Sequence, residues 1–293
     1  MTATKVLENN FGNKNIVDVC HIDDKTIVAT PSSIHWAVCE IDNDSNADWH
    51  TKSFNETVKG IVQHNDSFSI YTTNTIYAMD IDVQYSSHSE PFLQNVFENK
   101  PDITTVYFDD ANKVLIGTTA GLFDENFDPI QTEDGIITSY VNKIRYLNIF
   151  GKDIWCVCTS SGAYLLQEGN NETSNEIWLL NGLHILPNNN VKDVAYDYAS
   201  RALAVAADDT LYCLVLPVTD SAYETTNYIT TTANYYRSTL DDKIKSLANF
   251  NGKIIVFKEN NSVSHLELFK NFSGIFEKTK FFEDKQIEDF SRI

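Results

Sequence analysis

Val191-Lys192-Asp193-Val194-Ala195-Tyr196-Asp197 is followed, after a short turn, by Leu203-Ala204-Val205-Ala206-Ala207 and, across Asp208-Asp209, by Thr210-Leu211-Tyr212-Cys213-Leu214. Each run is short, largely apolar and bounded by turn residues. That is the pattern of strands buried on both faces, not of amphipathic helices. Asp closes such links because it tolerates left-handed backbone angles and bonds its own chain two residues on.

The same phrase recurs along the chain. It opens with an apolar pair three residues apart at Ile16/Val19, Val58/Ile61, Ile103/Val106, Val141/Ile144, Val191/Val194 and Ile244/Leu247. A second strand follows each opening: Ile27-Val28-Ala29-Thr30, Ser69-Ile70-Tyr71-Thr72, Leu115-Ile116-Gly117-Thr118, Trp155-Cys156-Val157-Cys158-Thr159, Leu203-Ala204-Val205-Ala206 and Ile254-Ile255-Val256-Phe257. A third is visible at Ile34–Val38, Ile76–Met79, Gly121–Phe123 and Leu211–Val215. The period of roughly 40 to 50 residues is that of one four-stranded blade. One such blade is two-faced and cannot hide both faces alone, so blades pack face to face. The sequence therefore predicts an all-β chain, residues 1–293, forming a single β-propeller domain with repeats starting near 16, 58, 103, 141, 191 and 244, most simply six blades of four antiparallel strands.

The ends bear on how such a ring closes. Gln286-Ile287-Glu288-Asp289-Phe290 repeats the opening phrase of Asn15-Ile16-Val17-Asp18-Val19, and Lys5–Phe11 reads as a lone strand before the first repeat. Residues 5–11 are expected to supply the outer strand of the last blade. The alternatives are seven blades, or an open ring whose strand edges are completed by a partner strand.

The fifth repeat resembles the three inner strands of a WD40 repeat, with Asp209 in the turn where that family places an Asp before its third strand. The third and fourth repeats, Val114–Leu122 and Asp153–Gly162, are similar to the sensor propellers of bacterial two-component regulators. There is no Gly-His pair, no Trp-Asp pair after a third strand and only 11 glycines, so the likeness is to a divergent WD40-like propeller. It implies a rigid platform for binding other proteins.

The formal net charge is −19, with Lys and Arg spread thinly. Such a surface repels phosphate backbones, which argues against direct nucleic-acid binding, favours solubility, and suits a basic protein partner. No apolar stretch approaches the ~20 residues that span a bilayer, and no charged start precedes an apolar core at the N-terminus, so an intracellular protein, cytoplasmic or nuclear and without membrane insertion, is expected. Cys20, Cys39, Cys156, Cys158 and Cys213 lie in or beside apolar runs and read as buried, reduced thiols.

No histidine has a partner at metal spacing, and no phosphate-cradling glycine loop is present. Asp18, Asp102, Asn142, Asp193 and Asp242 lie near the repeat openings, where a lactonase-like, metal-dependent hydrolase would gather its ligands. A ligand- or carbohydrate-sensing propeller would repeat an aromatic pocket, yet Trp36, Trp49, Trp155 and Trp178 occupy different places in the phrase. The reading reached is a non-catalytic interaction scaffold in an intracellular complex, with no cofactor. The candidate protein-binding residues lie in the two longest excursions from the repeat: Trp178 in the first, and Tyr228, Tyr235, Tyr236 and Arg237 in the second. Tyr, Trp and Arg are the side chains most enriched at interface hot spots. The same aromatic residues also suit the outer strands of blades four and five.

Overall fold

The structure, a computed structural model, describes strands and tight turns between residues 15 and 285; segments 1–14, 39–47, 80–92, 168–175, 181–189, 216–233, 271–275 and 286–293, with several shorter turns, lie outside the described residues. Every regular element among the described residues is a β-strand, and each of the six predicted openings starts the first strand of an antiparallel sheet or lies just before it. The described residues form two compact units, one up to Asp128 and one from Pro129 onward.

In the first unit, the opening sheet runs β1 (Asp18–Ile22), β2 (Lys25–Thr30), β3 (Ser33–Val38), β4 (His50–Ser53). The second runs β5 (Gly60–His64), β6 (Ser67–Tyr71), β7 (Thr75–Met79), β8 (Leu93–Val96). Both are meanders, each strand paired with the next in sequence. Ile22, Ile27, Ala29 and Ile34 of the first sheet share a core with Val58, Ile61, Phe68 and Ile70 from the second repeat.

The third sheet contains β9 (Ile103–Phe108), β10 (Val114–Thr118) and β11 (Gly121–Phe123), three strands among the described residues where four were expected. After β11 the chain turns sharply. Asp124 Oδ1 accepts the N–H groups of Asn126 at 2.9 Å and Asp128 at 2.8 Å, and the Asp124 N–H donates to the Asp128 carbonyl. Phe127 adopts φ 62°, a costly angle for a bulky residue, while its buried ring stacks on Phe123 at 4.7 Å. The polar Asp-x-Asn signal thus closes a loop where the repeat called for a fourth strand.

The second unit starts with a small hairpin, β12 (Gln131–Thr132) and β13 (Gly135–Ile136). The fourth sheet follows as β14 (Val141–Ile149), β15 (Lys152–Thr159), β16 (Gly162–Gln167) and β17 (Glu176–Leu180). The fifth is β18 (Val191–Asp197), β19 (Ala202–Ala207), β20 (Thr210–Val215) and β21 (Asn234–Thr239). The sixth is β22 (Ile244–Phe250), β23 (Lys253–Lys258), β24 (Val263–Lys270) and β25 (Phe276–Lys285). The outer place of this last sheet, expected for residues 5–11, is filled by β25; residues 5–11 and 286–293 lie outside the described residues.

The fifth sheet shows why the strands read as unbroken apolar runs. Leu203, Val205 and Ala207 pack against Leu147, Ile154 and Cys156 of the fourth sheet, while Ala202, Ala204 and Ala206 pack against Leu247, Ile254 and Val256 of the sixth. Alternate residues of one strand face opposite ways, so a sheet between two others has no polar face. The turn between β19 and β20 places Asp208 at φ 49°, the left-handed angle that Asp tolerates.

Candidate interaction surface

The turn joining the second and third strands is built alike in four repeats. The hydroxyls of Thr30, Thr72, Thr118 and Thr159 donate to the carbonyls of Ser33 at 3.1 Å, Thr75 at 3.2 Å, Gly121 at 2.9 Å and Gly162 at 2.8 Å. All four threonines are buried, so each bond satisfies a hydroxyl that water does not reach. Gly121 and Gly162 follow at φ 133° and 137°, angles that a side chain rarely adopts. Ala207 takes the threonine's place in the fifth repeat. In the sixth it is Lys258, nearly sealed from solvent, whose Nζ donates to Asp241 Oδ1 at 2.6 Å.

These turns also staple one repeat to the next. The N–H groups of Val58, Ile103 and Ile244, the opening apolar residues of their repeats, donate to the carbonyls of Pro31, Thr73 and Asp208 in the preceding repeat's turn, at 2.9, 2.6 and 2.7 Å. A reciprocal bond inside the repeat joins Thr119 N–H to Asp102 O, Ser160 N–H to Tyr140 O, and Glu259 N–H to Lys243 O. One end of every sheet so joined is fixed by backbone geometry.

A second tie uses the aspartate between the two opening apolar residues. Asp18 Oδ2 accepts the Ile61 N–H at 3.0 Å from the second sheet, and Oδ1 accepts its own Val19 N–H. Asp193 does the same one unit on: Oδ2 accepts the Leu247 N–H at 2.9 Å, and Oδ1 the Val194 N–H. Asp193 is fully buried and is also gripped by Arg145, whose Nη2 reaches the Leu247 carbonyl at 3.1 Å. In the second repeat the corresponding residue is Gly60, and a Cβ there would meet the Tyr71 hydroxyl at 2.5 Å. That hydroxyl bonds Thr105, and burial, reinforced by the charge of Asp18, holds its pKa well above the usual tyrosine range.

Of the five residues considered for a metal, Asp18, Asn142 and Asp193 reach a neighbouring repeat, Asp242 caps backbone groups of its own repeat, and Asp102 is engaged through its backbone carbonyl. Asp18 and Asp193 tie sheets, and Asn142 donates to Asn190 Oδ1 and the Val191 carbonyl. Asp242 accepts from the Lys243 and Asn260 backbones, and the Asp102 carbonyl accepts from Thr119. Among the described residues no group of three or more His, Cys, Asp or Glu side chains is placed to hold a metal ion.

The thiols are shielded. Cys156, Cys158 and Cys213 are buried and Cys20 half-buried, all free; Cys39 lies outside the described residues. Burial, with the charge of Asp18 adding, pushes Cys20 up to about 12, and burial with Asp197 does the same for Cys213. Burial and the neighbouring Cys156 raise Cys158 well above the usual thiol range.

Of the candidate binding residues, Trp178 lies on β17, in register with Leu165, and Tyr235, Tyr236 and Arg237 lie on β21, in register with Leu214, Cys213 and Tyr212. They sit on the outermost strands of the fourth and fifth sheets, so these stretches of the two excursions are strands. Tyr228 lies outside the described residues.

No protein-family model matches the sequence, and no curated protein does. Solved structures do match. A chain of the mitotic checkpoint complex superposes with a TM-score of 0.60 at 12% identity, over 98% of this chain and 85% of that one. The WD40 β-propeller domain of Doa1 gives 0.56 at 10% identity, over 92% and 83%. The fold is that of a WD40-like β-propeller. The extracellular domain of the two-component system BT4673 from B. thetaiotaomicron is a further structural neighbour, with a TM-score of 0.58 at 14% identity over 88% of this chain and 33% of that one. Both resemblances read from the repeats therefore recur among the structural neighbours of this propeller.

The threonine that ends the second strand of the first four repeats had a legible signal, since each was already visible in the strand sequences. Arg145 had none, because its partner Asp193 lies 48 residues away and nothing local pairs them.

Proposed function

We propose that the chain is a non-catalytic interaction platform: a single propeller of six blades, working as a subunit of an intracellular protein complex. The observation that carries this reading is the use made of polar side chains at the repeat openings. Asp18, Asn142, Asp193, Lys258 and Glu56 spend their hydrogen-bonding capacity on neighbouring repeats and turns; Glu56, for instance, accepts from both Thr72 and Thr75. Groups so engaged stiffen a surface and are not poised for proton transfer or substrate binding. The likeness to a chain of a multiprotein assembly agrees with this role. The outer-strand residues Trp178, Tyr235, Tyr236 and Arg237, with Tyr228, offer the partner large contact area with polar handles. A basic protein suits the net charge of −19.

Capture of the tagged protein from its native cell at moderate salt, with mass spectrometry, tests the reading. A protein recovered in stoichiometric amount supports it. An empty capture, together with hydrolase activity restored by a divalent cation, would replace it with the metal-dependent alternative.

A further inference from the structure

We draw no further inference here: the strongest candidate, the acidic side-chain cluster of Asp208, Asp209, Asp241 and Asp242 where the turn joining β19 to β20 meets the link into β22, carries nothing because its carboxylates already accept hydrogen bonds from Asn190, Thr210, Lys258 and the Lys243 and Asn260 backbones, and no second observation among the described residues points to a ligand.

Discussion

Arg145 on β14 grips Asp193 on β18 through two parallel hydrogen bonds, Nε to Oδ1 at 2.8 Å and Nη2 to Oδ2 at 2.7 Å. The same guanidinium reaches the Leu247 carbonyl on β22, so one side chain ties the first strands of three successive repeats. Asp193 is sealed from solvent and Arg145 about one-third exposed. Removing one partner of a buried pair leaves the other charge uncompensated. Arg145→Met is therefore expected to destabilise the fold by about 2 to 4 kcal/mol, less than for a fully buried pair because Asp193 keeps two backbone donors. Urea unfolding with a double-mutant cycle against Asp193→Asn checks this; a coupling energy near zero would show that the two residues act independently.

The repeated threonine turn gives a graded expectation. Thr118→Val and Thr159→Val keep shape and lose the hydroxyl bond to a carbonyl within the turn, at a cost of about 1 kcal/mol each. Thr72→Val also removes a bond to Glu56 from the preceding connection, so its midpoint in urea should fall furthest of the three. Equal losses at all three positions would mean that the Glu56 contact contributes nothing.

How much of this was legible is clearest at these turns. The opening phrase and the second strands follow from burial on both faces, which imprints a local, repeated apolar pattern on the sequence. The third repeat, whose sheet has three strands among the described residues, departs from the pattern because Asp124 capping Asn126 and Asp128 is a local event that periodicity does not register. Tyr235 and Tyr236 suit both an interface loop and an outer strand, the latter more, since aromatic residues favour strands; backbone pairing with Leu214 and Cys213 places them on the strand. The contacts of Arg145 and Lys258 depend on which repeats meet, information a single sequence does not display.

The buried thiols predict an alkaline limit to stability. The pKa of Cys20 and Cys213 is raised from 9.0 to about 12 in the folded chain, so folding favours their neutral form. That contribution is fully present below pH 9 and is lost as pH rises towards about 12. The urea midpoint should fall over this range, and Cys213→Ala should lessen the fall. A midpoint with the same pH dependence in parent and variant would show that this thiol does not titrate with unfolding.

Tyr235→Ala with Tyr236→Ala separates a contact surface from a structural strand. If β21 presents a binding face, partner capture drops at least about tenfold while the melting temperature stays within a few degrees. A large fall in melting temperature would assign these rings to packing within the fifth sheet.

The central claim is that this propeller works as a subunit bound to another protein. Its most direct test is the size of the endogenous protein, measured by gel filtration with light scattering of a native extract fraction at physiological salt. The account predicts elution well above the mass of one chain, in a species of defined stoichiometry with a second, basic protein. Elution as a lone monomer under those conditions would contradict it.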